Sequence, residues 1–183
     1  MLSDAAQVLR REFDLSFARA ARAEAAAMQH LLAVRIGGDP YAIGLDEIAG
    51  LFSGREIVPL PTPLPELLGL AGFRGQVAPV YDLAALLGYA RRQEPRWLVL
   101  VRHLHPVALA FDAFEAQLVA SPEQIVPIAD APRRNHSPQT AALPASIAHA
   151  VRGEHGMHPI VRLPAVVEDI QRRVDLARYT KES

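Results

Sequence analysis

A mainly β protein, with a helix at each end, is predicted by three observations. Short apolar segments recur along the 183-residue chain, set apart by 11 Gly and 15 Pro, the pattern of many short strands joined by tight turns. Several of these segments return in the same order after about 67 residues, so the strands fall into two related units. The two ends of the chain instead carry apolar residues at helical spacing. With half of its residues hydrophobic, the chain can bury a sizeable core, and its length suits one domain or two small halves packed as one.

Residues 3 to about 29 read as one amphipathic helix. Leu9, Phe13 and Phe17 recur at i, i+4, and Ala20 and Ala27 continue the stripe. Arg10, Arg11, Asp14, Arg22 and Glu24 lie mostly off it. The tract Ala18–Ala27 is rich in the best helix former, and neither Gly nor Pro interrupts before Gly37. The stripe must dock, either on the body of the protein or against a twin helix.

From Leu31 the period changes to that of strands. Leu32–Ile36, the turn residues Gly37–Pro40, and Tyr41–Leu45 read as strand, tight turn, strand. Further strands are predicted near Ile57–Leu60, Leu70–Arg74, Val77–Tyr81, Leu98–Arg102, Val107–Phe111, Gln117–Ala120, Ile125–Ile128 and Met157–Leu163. Ala129–Gly156 reads as a long connection with a short helix at Ser146–Val151, and residues 165–180 as a helix with Val166, Val167, Ile170 and Val174 on one side.

The repeat pairs Leu31–Arg35 with Leu98–Arg102, Tyr41–Ile48 with Val107–Phe114, and Ile57–Leu60 with Ile125–Ile128. Gly75–Leu83 pairs more loosely with Gly156–Leu163, matching Pro79 to Pro159. Two β-units result, each small for independent stability.

The most informative segment is Phe73-Arg-Gly-Gln-Val-Ala-Pro-Val-Tyr-Asp-Leu83. Arg74-Gly75 reads as an exposed turn. Pro79 lacks a ladder donor, which places its strand at an edge or a bulge. Asp82 is positioned to cap a helix over Leu83–Leu87 that stops at Gly88. Arg74 is either a solvated turn residue or a partner anchor, since Arg is enriched at interface hot spots.

Composition excludes several classes. A net charge of −1 and a pI near 6.7 leave no basic stripe for nucleic acid. Without cysteine there is no disulfide, zinc-thiolate site or thiol nucleophile. No signal peptide and no membrane span are read, so a soluble cytoplasmic protein is expected. No Gly-rich phosphate loop and no Gly-x-Ser-x-Gly elbow occurs. His103 and His105 alternate on one predicted strand face, and His155 and His158 flank a Gly-Met turn. A ligand-binding sensor or metal-dependent hydrolase built on His155, His158 and Asp82 or Asp112 is the alternative function, although metal sites need three or four convergent ligands.

The segment Gly69-Leu-Ala-Gly-Phe-Arg74-Gly75, then Pro79-Val80-Tyr81-Asp82-Leu83 closing at Leu87-Gly88, resembles the signature of the CheW family, the adaptors of bacterial chemosensory arrays. Val34–Ile43, Ile57–Pro61 and Ala108–Asp112 are similar to the family as well, and the likeness runs in order over about residues 30–170. It implies two packed SH3-like five-stranded β-barrels, to which the chain adds the C-terminal helix and an N-terminal amphipathic helix that is more than the minimal adaptor needs. Residues 1–29 would form a helical extension and 30–180 the CheW-like domain, in halves of roughly 30–95 and 96–165 open to strand exchange. It implies no catalysis, no cofactor and no metal. The implied partners are methyl-accepting chemoreceptor tips and a CheA-like histidine kinase, in chemotaxis or in type IV pilus (twitching) signalling of a PilI-like branch. Membrane-associated arrays would be the location, with no direct membrane insertion and with self-association through the N-terminal helix as a further use. By position, Arg74, Gly75, Ile48 and Leu51 would line or border the receptor groove. Pro79, Val80, Asp82 and Leu83 would be structural. Gly50, Gly72 and Arg162 depart from the family pattern, where an acid, Asn and an acid or amide are usual.

Overall fold

The computed structural model describes residues 28–90, 95–130, 145–153 and 156–179. The expected N-terminal helix lies outside the described residues, except that Gln29 already belongs to the first strand. Among the described residues eleven strands form two sheets. Strands β1 (Gln29–Ile36), β2 (Asp39–Gly44), β8 (Ala113–Ala120), β9 (Ile125–Pro127), β10 (Ile147–Gly153) and β11 (Gly156–Val161) make a six-stranded sheet in the order β8-β1-β2-β11-β10-β9. Strands β3 (Ile48–Ser53), β4 (Leu67–Phe73), β5 (Gln76–Asp82), β6 (Trp97–Val101) and β7 (Ala108–Phe111) make a five-stranded sheet in the order β3-β6-β7-β5-β4. Helix α1 (Leu83–Leu86) follows β5, and α2 (Leu163–Tyr179) follows β11.

The two sheets repeat one plan. In each, an antiparallel hairpin (β1–β2 or β6–β7) pairs on one side with the strand that follows the other hairpin in the chain, β1 with β8 and β6 with β3. On the other side it pairs in parallel with the second strand of a further hairpin, β2 with β11 and β7 with β5. The correspondence extends to register. Phe73↔Gln76, Ala71↔Ala78 and Leu67↔Tyr81 in β4–β5 become Gly153↔Gly156, Val151↔His158 and Ile147↔Val161 in β10–β11, including a bulge at the same step. Even the loop bonds match: Asp82 N–H donates to the Glu66 carbonyl at 2.8 Å, and Arg162 N–H to the Ser146 carbonyl at 2.9 Å.

Side-chain alternation explains the unbroken apolar runs in these strands. In β6 and β7, Val99, Val101, Leu109 and Phe111 face a central core, while Leu98, Ala108 and Ala110 face the interior of the five-stranded sheet. The central core also takes Val34, Ile36 and Ile43 from the six-stranded sheet, Leu83, Leu86 and Leu87 from α1 and its end, and Leu163, Val166, Val167 and Ile170 from α2. Leu31, Ala42, Ala120 and Val151 form a third, smaller cluster inside the six-stranded sheet. Tyr89, just after α1, ties this end of the five-stranded sheet to β2 of the other sheet: its hydroxyl donates to Asp39 at 2.7 Å and lies 2.8 Å from the Tyr41 hydroxyl. Burial, then these two partners, pushes its pKa far up.

The mainly β class with two sheets and a C-terminal helix agrees with the expectation, and several details do not. One sheet has six strands rather than five, because β9 forms a short ladder with β10. Its counterpart near Val58 makes a single bridge to Leu70, so Ile57–Leu60 is not a strand. Ser146–Val151, expected as a helix, lies mostly in β10, where pairing on both sides overrides the helix preference of its alanines. Strand β5 is interior, not an edge. Pro79 is accommodated because pairing with β7 starts only at Val80, and Pro159 is placed likewise beside Ile160. His103 and His105 lie in the β6–β7 loop, not on a strand. Among the described residues no helix is long and apolar enough to cross a membrane.

Candidate partner-binding site

The β4–β5 hairpin places the site. Phe73 and Gln76 are the last paired residues, so Arg74 and Gly75 are a two-residue turn. Their φ values of 46° and 85° are both positive, as a type I′ turn requires to match strand twist. Gly75 takes this conformation freely. Arg74 is the one non-glycine residue with positive φ among the described residues, a conformation that costs an L-residue on the order of 1 kcal/mol. Its side chain is exposed and makes no hydrogen bond or ion pair with other described residues.

Beneath the turn, Phe73 is 2% exposed and meets the Phe52 ring edge-on at 5.0 Å. This contact joins β3 and β4, the two outermost strands, so the five-stranded sheet curls upon itself. The Arg55 guanidinium covers Phe52 at 5.2 Å from the ring centre, a cation–π contact. On the flank, Val77 is 63% exposed. The surface around the turn thus presents two guanidinium groups, an aromatic ring and an apolar side chain.

The residues singled out from the sequence fall into layers. Arg74 and Gly75 are at the surface. Leu51 is half-buried on β3, adjacent in sequence to Phe52, and packs against the central core. Ile48, at 7% exposure, is inside that core. Val80 and Leu83 are fully buried. Asp82 is 4% exposed and its carboxylate accepts the Ala85 N–H at 3.2 Å, capping α1. The helix ends with Gly88 N–H donating to the Ala85 carbonyl and Tyr89 N–H to the Ala84 carbonyl, a Schellman closure on Gly88. Phe52, Arg55 and Val77 join the site without a sequence signal of their own. Gly50 and Gly54 mask the strand pattern of β3, and the clasp depends on two strands distant in sequence.

Two departures acquire physical reasons. A Cβ at Gly50 would come within 2.8 Å of the Phe52 ring, so the acid usual there is incompatible with this ring position. Arg162 occupies the place of Asp82 before α2 and offers no capping acceptor. Glu47, from the 3-10 turn Leu45–Glu47, supplies it instead: its carboxylate accepts the Leu163 N–H at 2.7 Å. Burial raises the Glu47 pKa, and the Leu163 bond opposes the rise. Nothing in the structure explains Gly72, beside which there is open space.

The groups of the alternative function do not converge. His155 lies outside the described residues. His158 is buried in β11 opposite Val151, Asp82 caps α1, and Asp112 accepts the Gly38 N–H at 2.9 Å. Among the described residues no three His, Cys, Asp or Glu side chains are grouped to hold a metal ion.

Comparison with known proteins supplies the family. No curated protein matches the chain. The crystal structure of the scaffolding protein TtCheW from Thermoanaerobacter tengcongensis is similar in fold, with a TM-score of 0.60 and 18% identity, covering 73% of this chain and 88% of that one. The family model for the CheW-like domain matches residues 30–169, and by that match the chain belongs to the CheW-like domain family.

Proposed function

We propose that this chain is a non-enzymatic scaffold adaptor that couples chemoreceptor tips to a CheA-type histidine kinase. Family membership and the likeness to a scaffolding protein support the reading. Each curled sheet then corresponds to an SH3-like barrel, and halves 30–95 and 96–165 each lend the other a hairpin. The adaptor acts by geometry: holding receptor and kinase in one lattice raises the effective concentration of weak contacts. Its place is a membrane-associated array, and the output is chemotaxis or, for a PilI-like member, pilus motility. Arg74, Gly75 and Leu51 offer the receptor-facing surface, with Ile48 supporting it from the core.

The observation that carries the site is the strained, exposed Arg74. Glycine would fit the turn at less conformational cost, so the fold does not require arginine there. Pulldown of tagged protein from its source cell, wild type beside Arg74→Glu, should recover a CheA-like kinase and receptors, with receptors lost in the variant. Arg74→Gly should lose receptors too, while stability in urea stays level or rises by up to about 1 kcal/mol. Full receptor recovery with Arg74→Gly would sink the anchor role.

A further inference from the structure

Several arginines of this fold are engaged by the protein itself: Arg35 pairs with Glu115, Arg172 and Arg173 pair with Asp169, and Arg102 donates to the Ile48 carbonyl at 3.0 Å. Arg55, Arg74 and Arg96 differ. They are exposed and make no hydrogen bond or ion pair with other described residues, and all three stand at one end of the five-stranded sheet. Ser53 pairs with Trp97, and Gly54 N–H donates to the Arg96 carbonyl at 3.4 Å, so the chain around Arg55 runs beside Arg96. The Phe52–Phe73 contact brings the Arg74 turn to the same end. Segments 52–57, 72–77 and 95–97 hold these three arginines and one acid, Glu56, on a chain whose net charge is −1.

Beside the arginines is a notch. Gly72 lies opposite Val77 on the outer face of the β4–β5 hairpin. A Cβ at Gly72 would meet nothing within 4 Å, and Val77 is 63% exposed. Farther back along β4, Val58 bridges Leu70. There the Val58–Pro59 segment closes over Gly69, the counterpart of His149, and a Cβ at Gly69 would collide with the Val58 carbonyl oxygen. The open surface is thus confined to the end that carries the arginines.

We propose that this end of the five-stranded sheet docks an acidic protein segment, with carboxylates on Arg55, Arg74 and Arg96 and an apolar side chain in the notch between Gly72 and Val77. The proposal deepens the reading of Arg74 as a receptor anchor and rests on it: the segment that meets Arg74 is acidic. Guanidinium groups match carboxylates by paired, charge-assisted hydrogen bonds. The Phe52 ring, 5.2 Å from the Arg55 guanidinium, holds that side chain, so less freedom is lost on binding. A lipid surface fits less well, because recognition of anionic lipid draws on about 4–8 clustered cations and Glu56 opposes it.

The test uses the full chain and two labelled probes, poly-L-glutamate and a glutamate–tyrosine copolymer, with binding read by fluorescence anisotropy. Arg55→Glu and Arg96→Glu should each weaken both probes by about fivefold or more. Arg152→Glu, an equally exposed arginine on β10 of the other sheet, should change binding by less than about twofold. The copolymer should bind more tightly than polyglutamate, and Gly72→Asn, which the open space admits, should remove that advantage. Circular dichroism and urea midpoints verify the fold, and Arg55→Gln or Arg96→Gln replaces a variant that fails to fold. Equal weakening by Arg152→Glu would overturn the proposal, as would no measurable wild-type binding in low salt or tighter binding to phosphatidylglycerol vesicles than to either polymer. A copolymer advantage that persists in Gly72→Asn would overturn the notch. The source-cell pulldown separates this proposal from the one it rests on. Receptors lost with Arg74→Glu but kept in full with Arg55→Glu and Arg96→Glu would leave the anchor standing and overturn the acidic footprint.

Discussion

The β4–β5 and β10–β11 hairpins share a register and differ in what fills it. In the five-stranded sheet a large residue, Phe73, lies near a small one, Ala78. In the six-stranded sheet the sizes are exchanged: Gly153 stands for Phe73 and His158 for Ala78. A Cβ at Gly153 would lie 3.1 Å from His158 Cε1, so the imidazole takes space that the phenyl ring takes in the other sheet. One backbone plan thus tolerates opposite packing, provided that the pair changes together. The sheet filled by phenylalanines carries a strained turn at its surface, whereas the other sheet buries a histidine in its interior.

The largest effect should come from the seat of the closing segment. Gly69→Ala should cost about 3 kcal/mol, since its new methyl meets backbone that cannot rotate away. The exposed counterpart His149→Ala should stay within about 0.5 kcal/mol. Urea denaturation measures both, and similar costs would break the comparison. Next is the exchange of sizes. Gly153→Phe alone should cost on the order of 1–3 kcal/mol, and adding His158→Ala should recover at least half of it. Strict additivity in the double-mutant cycle would show that the positions are not coupled.

The smallest effects concern the helix caps. Asp82→Ala and Glu47→Ala should each cost about 1 kcal/mol. Loss of Glu47 should also alter the pH dependence of stability. Because burial raises the Glu47 pKa in the folded state, folding favours its protonated form. That contribution is complete below the unfolded value, near 4.5, and is lost as pH rises through the folded value. Glu47→Gln should flatten this decline. An unchanged slope in stability measured from pH 4 upward would locate the titration elsewhere.

The first hairpin, the Arg74-Gly75 turn, the Asp82 cap and the terminal helix are legible in the sequence because each is written in local chemistry. Strand β10 is not, since Ala148 and Ala150 favour helix and only its two neighbours decide otherwise. The repeat is visible but loses its even spacing after Ile128, where a long connection intervenes. The Phe52–Phe73 contact and the Glu47 cap on α2 are hidden for a different reason. Each unites residues from separate strands or separate units, and no window of sequence contains both partners.

The crosswise pairing of hairpins also sets a timetable for synthesis. Ile43 in β2 is paired with Val161 in β11, so the first hairpin made waits for one of the last strands. At ribosomal speed that interval is on the order of ten seconds. Throughout it, β2 presents an unpaired edge that β11 of a neighbouring nascent chain fits equally well. The growing polypeptide is therefore exposed to intermolecular exchange, and crowding on one message would favour a swapped dimer whose sheets are indistinguishable from those of the monomer.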